Sequence, residues 1–181
     1  MDVRSRIIDT ASRLFYSQGY NSTGINQVIK EANVAKSSLY QYFPSKDDLL
    51  VAYLNEASKN TNQAIDEWLE KYSTASEKVT GLFDFLIVFA ESKEFNGCNF
   101  LNIISEIPQE NERVAALIIK QKNHIRFVFS YILENENHDT TLADELYLLF
   151  DASMISSKVY KSSWPAQSAK KVAEKLLNCA K

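Results

Sequence analysis

Apolar residues recur along this chain at intervals of three and four, and no convincing run alternates apolar with polar. The first pattern marks helices with one buried stripe; the second would mark strands. Ile7, Ile8, Ala11, Leu14 and Phe15 form the first stripe and predict a helix over about Val3 to Gln18. Gly19 suits its C-terminal cap, since it lacks a Cβ. Ile25, Val28, Ile29 and Ala32 predict a second, short helix, opened by Thr23 or Gly24. Asn33 follows, and Asn tolerates the left-handed backbone that a tight interhelical turn needs. A third helix starts near Ala35 or Lys36 and stops before Pro44, which biases Phe43 to an extended conformation. Ser45 can cap a fourth helix, with Asp47 and Asp48 at the positive end of its dipole; the pattern carries it to about Tyr72.

Further helices are predicted over Glu77–Ser92, Cys98–Glu106, Glu110–Glu134, Leu142–Tyr160 and Ala166–Ala180. Breaks fall at Asn96-Gly97, Pro108, Asn135–Thr140 and Ser162–Pro165. With only 4 Gly and 3 Pro in 181 residues, breakers are too scarce for a strand-and-turn architecture. The expected fold is all-α, about nine helices: a three-helix head, residues 1–46, and a larger helical body, residues 47–181.

Charge sharpens that division. The net charge is −3, which by itself disfavours a nucleic-acid partner. Residues 1–46 carry six Lys/Arg against three acids, a net +3, so the remainder carries −6. A basic head on an acidic body fits a protein that sets one end on phosphate. The N-terminus shows no signal-peptide core and no stretch reaches the length of a membrane span, so no membrane association is expected. The two cysteines, Cys98 and Cys179, are expected to stay free thiols in a reducing cytoplasm.

Residues 25–43 have the layout of a helix-turn-helix, whose second helix enters the major groove. Lys36, Ser37, Ser38 and Gln41 supply the polar outer face of that helix, while Ala32, Val34, Leu39 and Phe43 can pack inward. Ser hydroxyls and Gln amides read base edges, and Gln can pair bidentately with adenine. Tyr40 and Tyr42 flank the face and can donate to phosphate. Lys46 and the first amides of the fourth helix make an anion site. Thr23 and Asn26, at the start of the second helix, complete the candidate DNA-contacting set.

The ordered set Arg6-Ile7-Ile8, Leu14-Phe15, Gly19-Tyr20, Thr23-Gly24-Ile25, Ala32 through Phe43 and Ser45-Lys46-Asp47-Asp48-Leu49-Leu50 resembles the head of the tetracycline-repressor (TetR) family. The resemblance covers about residues 4 to 54. It implies that Lys36, Ser37, Ser38 and Tyr40 read the groove and that Tyr42 and Lys46 contact phosphate. Asn26 stands where many members carry a base-contacting Arg, and Asn33 and Ala35 replace the more usual Gly and Ser. The resemblance further implies a body that holds a small-molecule cavity and a dimer interface, a double-stranded palindromic operator as partner, and a cytoplasmic protein found on the nucleoid when bound.

The body is rich in aromatics, which line most apolar pockets and equally fill ordinary cores. Trp68, Phe89, Phe100, Phe127, Tyr147 and Phe150 are the candidate lining, with Asn102 and His124 as polar handles. The stretch from Leu142 to Ile155 is apolar nearly all round and must be covered on two sides. With Val172 and Leu176 of the last helix, its Leu142, Leu146 and Leu149 are the candidate faces of a homodimer built as a four-helix bundle. Two heads must in any case be held about 34–36 Å apart, or a multiple of it, to reach successive major grooves. Gly97-Cys98-Asn99-Phe100-Leu101-Asn102 resembles a segment from one branch of the family in which a cysteine senses oxidants or electrophiles.

The signatures of enzymes are missing: no phosphate-cradling Gly-rich loop, no His-Glu-x-x-His, no Gly-x-Ser-x-Gly. His124 and His138 with two distant cysteines give no metal-ligand pattern. No catalytic residue, metal or cofactor is therefore expected. The expected function is a repressor released from DNA by a small hydrophobic inducer. A thiol-based sensor acting through Cys98 and a helical interaction module without DNA binding are the alternatives.

Overall fold

The computed structural model of the chain describes residues 2–134 and 140–179. The predicted break after Glu134, His138 within it, and Ala180 lie outside the described residues. Among the described residues the chain forms nine helices. They are α1 (Val3–Gln18), α2 (Ile25–Ala32), α3 (Lys36–Tyr42), α4 (Lys46–Leu69), α5 (Ala75–Ala90), α6 (Asn99–Ile104), α7 (Glu112–Leu133), α8 (Thr140–Tyr160) and α9 (Trp164–Cys179). The all-helical expectation holds, and α1 and α2 have the predicted bounds.

Several other boundaries shift by one to three residues, three of them for identifiable reasons. α5 begins at Ala75 rather than Glu77, because Thr74 and Glu77 form a capping box. The Glu77 amide donates to the Thr74 hydroxyl at 3.2 Å, and the Glu77 carboxylate accepts from the Thr74 amide at 3.0 Å. α9 begins at Trp164, with Pro165 in its first turn, where a missing N–H removes no intrahelical bond. α4 ends at Leu69, short of Tyr72, because the chain turns there to bring Tyr72 onto Gly81. A Cβ at Gly81 would stand 2.5 Å from the Tyr72 ring, so this contact needs glycine. The Trp68 indole N–H donates to the Gly81 carbonyl at 2.9 Å and closes the corner.

The helices sort into two compact units. Residues 1–60 with 99–119 make the first, and residues 61–98 with 120–181 the second. The first unit thus extends past residue 46 and takes in α6 and the start of α7. In it α1, α2 and α3 pack on one another. Its buried residues include Ile7, Ala11, Phe15, Val28, Leu39, Phe43, Leu49, Leu50 and Tyr53. The rings of Tyr20 and Tyr53 meet that of Phe15 edge-on, at 5.3 and 5.6 Å between centroids.

In the second unit α5 packs against both α8 and α9, and α8 against α9. Phe83, Phe129 and Phe150 form its centre, with centroid separations of 5.8 to 6.3 Å. Ala166, Ala169 and Ala173 keep one side of α9 slender enough to lie in this core. The Lys170 ammonium and the Asp84 carboxylate, 2.7 Å apart, join α9 to α5 at its edge. Replacing Phe129 by Ala empties the middle of the aromatic trio. Urea unfolding should show a loss of about 3–5 kcal/mol for F129A, and a loss below about 1 kcal/mol would contradict this description of the core.

Candidate nucleic-acid interface

α3 has seven residues, so its position is set by what surrounds it. Asn33 precedes it in the left-handed conformation, φ 52 and ψ 56. The Asn33 amide donates to the Lys30 carbonyl and the Val34 amide to the Ile29 carbonyl, each at 3.2 Å, which terminates α2 and turns the chain. On the inner side Leu39 is fully buried and Phe43 nearly so. Phe43 is extended, φ −134 and ψ 94, as Pro44 requires. The Arg4 guanidinium lies 5.6 Å from the centre of the Phe43 ring and holds that corner from α1.

The outer side carries the polar residues expected there. Asn26, Lys36, Ser37, Tyr40, Gln41 and Tyr42 are exposed, and Ser38 is half-buried. The Lys36 ammonium sits 6.0 Å from the Tyr40 ring, one helical turn away. Thr23 is the exception and corrects the expected set. It is fully buried: its hydroxyl donates to the Gly19 carbonyl at 2.7 Å and accepts from the Gln18 side chain at 3.1 Å. Thr23 therefore fastens the α1–α2 turn from inside and offers no side chain to a partner.

The N-terminus of α4 is tied more heavily than its sequence suggests. The Asp48 amide donates to the Ser45 hydroxyl at 3.1 Å, the predicted cap. The Asp48 carboxylate accepts from the Ser45 hydroxyl and the Arg113 guanidinium, each at 2.7 Å. These two hydrogen bonds hold its pKa below the usual carboxylate range. Asp47 accepts from the Tyr20 hydroxyl and, at 3.0 Å, from Asn111. Burial and the Asp47 carboxylate raise the Tyr20 phenol above its ordinary pKa. The Lys46 ammonium lies on the Tyr20 ring, 4.1 Å from its centroid. Burial pulls the Lys46 pKa down, against the opposing pull of Glu106 and Asp47.

The other candidate residues are distributed as follows. Phe100, buried, and Asn102, half-buried, belong to the first unit. Trp68, Phe89, His124 and Tyr147 are half-buried in the second unit, and Phe150 is in its core. Phe127 is 61% exposed and stacks on the exposed Tyr131, so it lines no interior site. Leu142 and Leu146 are buried in the core of their own chain, which removes them from any face open to a second copy. Leu149 and Leu176 are half-buried, and Val172 is exposed. The outward stripe of α8 is instead Leu148, Ile155 and Val159, with Leu148 63% and Val159 69% exposed.

Cys98 is half-buried. The Lys122 ammonium lies 3.5 Å from its sulfur and 2.5 Å from the Asp151 carboxylate. Burial opposes the charge on Lys122, but Cys98, Asp151 and Tyr147 outweigh it and hold the ammonium pKa above its ordinary value. Sequence reasoning passed over Arg4, Glu106, Asn111, Arg113 and Lys122. Each meets its partner across 24 or more residues, beyond the reach of any local pattern.

Comparison with known proteins agrees with this geometry. The family described as bacterial regulatory proteins, tetR family, matches residues 7–53. The HTH-type transcriptional regulator YxaF of Bacillus subtilis is 38% identical over 79 residues, 43% of this chain and 41% of that protein. This match thus spans about two fifths of that relative's length. The HTH-type transcriptional repressor NemR of Escherichia coli K12 is 25% identical over 179 residues, 93% of this chain and 90% of NemR. Among solved structures, the TetR-family regulator SCO4454 of Streptomyces coelicolor superposes with a TM-score of 0.91 at 24% identity, covering 98% of this chain and 89% of that one. A cysteine mutant of the TetR-family regulator CifR, complexed with 26-bp double-strand operator DNA, superposes with a TM-score of 0.83 at 17% identity, covering 95% of each chain.

The turn at Asn33 gives a direct check. Val cannot take up the left-handed backbone without strain, whereas Gly can. N33V should lose about 1–2 kcal/mol of stability on that account, measured by thermal unfolding, while N33G should stay within about 0.5 kcal/mol of the wild type. Equal stability of N33V and the wild type would mean that the turn is not the one described.

Proposed function

The chain belongs to the TetR family of transcriptional regulators, and from that premise we propose that it is a dimeric repressor that binds a palindromic operator through α3 and leaves it when a small hydrophobic molecule binds. The observation that carries the proposal is the two-sidedness of α3. Leu39 and Phe43 anchor its inner side, and Lys36, Ser37, Tyr40, Gln41 and Tyr42 stand outward on it. Gln41 and Ser37 would read base edges. Lys36 and Tyr42 would meet phosphate and set the register.

Half-site recognition needs two heads, and the exposed apolar stripe Leu148, Ile155 and Val159 gives α8 a face for a second copy. Val172 and the Tyr160–Trp164 ring pair, whose centroids are 5.0 Å apart, would extend it into α9. The inducer would bind among the half-buried aromatics of the second unit, Trp68, Phe89 and Tyr147, and only a molecule that prefers the non-binding state would release the DNA. α4 contributes residues to both units and is the element through which such binding would reach the head. The protein would act in the cytoplasm, where the operator is. No described helix is long and apolar enough to cross a membrane.

Three measurements test the dimeric DNA-binding part of this reading. Sedimentation velocity should give a dimer. Fluorescence anisotropy with duplexes from the DNA flanking its own gene should give an affinity that falls steeply with salt, log K changing by about 0.9 per phosphate contact for each tenfold rise in salt. Q41A should cost about 1–3 kcal/mol at one base pair per half-site and relax the sequence preference there. A monomer indifferent to every such duplex at low salt would sink the proposal.

A second reading rests on Cys98. The Lys122 ammonium lies 3.5 Å from its sulfur, so this half-buried thiol has a polar neighbour and not an apolar one. Electrophiles would then add at this sulfur and weaken DNA binding. Treatment with N-ethylmaleimide should lower the wild-type affinity for the duplex while leaving C98S unaffected, and equal loss in both proteins would reject the reading.

A further inference from the structure

Glu106 lies 85 residues from Asn21, yet it closes the turn between α1 and α2. One carboxylate oxygen accepts from the Asn21 amide at 2.7 Å, and the Asn21 side chain donates back to the Glu106 carbonyl at 2.8 Å. The other oxygen would lie 2.9 Å from a Cβ placed at Gly19, whose φ is 92. The carboxylate therefore rests on Gly19 and Asn21, the residues on either side of Tyr20. The middle residue of that turn, Tyr20, supports the Lys46 ammonium on its ring and donates its hydroxyl to Asp47. Lys46 is half-buried there, and burial lowers its pKa against the opposing effect of the Glu106 and Asp47 carboxylates.

Lys46 is also the residue that the resemblance assigns to a phosphate, and the fold holds it over a phenol ring. An ammonium on a flexible four-carbon stem is a point charge that a competing anion can redirect. Asp47 has two other donors of its own, the Tyr20 hydroxyl and the Asn111 side chain. Glu106 has the Asn21 amide, a neutral group that any acceptor would satisfy.

We propose that Glu106 is a positioning residue for DNA binding: its carboxylate competes with an operator phosphate for the Lys46 ammonium and so sets how tightly the head grips DNA. The proposal rests on the reading of the chain as a DNA-binding repressor.

Glu106→Gln separates the charge from the fold, because the amide oxygen can still accept from the Asn21 amide. Anisotropy with a 30-bp duplex from DNA flanking its own gene should show E106Q binding about three- to tenfold tighter than the wild type, the range of coupling between neighbouring charges. In a K46M background the same substitution should change the affinity by less than about twofold. An equal gain in both backgrounds would mean that Glu106 merely repels DNA at a distance, and no gain in the wild-type background would mean that it does not compete; either overturns the inference while DNA binding stands. A wild type that ignores the duplex at every salt concentration overturns both readings. A measurement without DNA guards against a destabilised turn. Reductive methylation followed by peptide mass analysis should modify Lys46 faster in E106Q than in the wild type, with Lys36 unchanged, and equal rates at Lys46 count against the proposal.

Discussion

A helix of seven residues does not persist in water by itself, since the cost of nucleating it exceeds what so few hydrogen bonds return. α3 stands only because Leu39 and Phe43 are buried beneath it and Asn33 turns the chain into it. The orientation of α3 follows from that constraint. Burying one side of so short a helix leaves the other side no choice but solvent, and on that side the chain carries hydroxyls, an amide and an ammonium. A longer helix could have been amphipathic by composition alone; this one is oriented by its neighbours. Arg4 over Phe43 belongs to the same device, since it pins the residue at which α3 ends.

How far the chain could be read in advance varied with the distance between partners. The bounds of α1 and α2 were legible because the stripe, the Gly19 cap and the Asn33 turn are all local signals. The start of α5 was set too late, at Glu77, because hydrophobic periodicity passes over the capping box Thr74-x-x-Glu77, although that signal is local. Thr23 could not be placed from sequence. A threonine before a helix can cap it or turn inward, and here the Gly19 carbonyl four residues back takes its hydroxyl. Nor could Phe127 be separated from Phe129. Both lie on one apolar-rich helix, and only the packing of Phe83 and Phe150 on Phe129 shows which of the two is core.

The second unit shows why an all-round apolar helix is ambiguous. α8 meets α5 and α9 with Leu142, Leu146 and Phe150. That accounts for one side of the helix and leaves Leu148, Ile155 and Val159 on the other. Periodicity says that both sides need cover but cannot say which residues the chain covers for itself. The same unit places a lysine–aspartate pair beside the Cys98 sulfur. Such a half-buried pair persists because each charge has its partner, and any group that enters must displace a hydrogen bond already made.

The acidic balance of the chain finally loses its force as an argument against DNA, because what a phosphate meets is local charge, screened beyond about 10 Å in ordinary salt. In the first unit the acids near the turn and the start of α4 are engaged. Glu31 is bound by Arg13 and Gln27, Asp48 by Arg113 and Ser45, and Asp47 by Tyr20 and Asn111. An engaged carboxylate still carries its charge, but where its partner is a cation the pair projects little field. Arg13 and Arg113 therefore neutralise Glu31 and Asp48 at their positions. Glu106 is engaged differently. Its hydrogen-bond partner is the neutral Asn21 amide, and Lys46 lies on the ring of the neighbouring Tyr20. The charge that a phosphate would meet at this end of the first unit is therefore set by how each acid is partnered there, and the net charge of the chain does not report it.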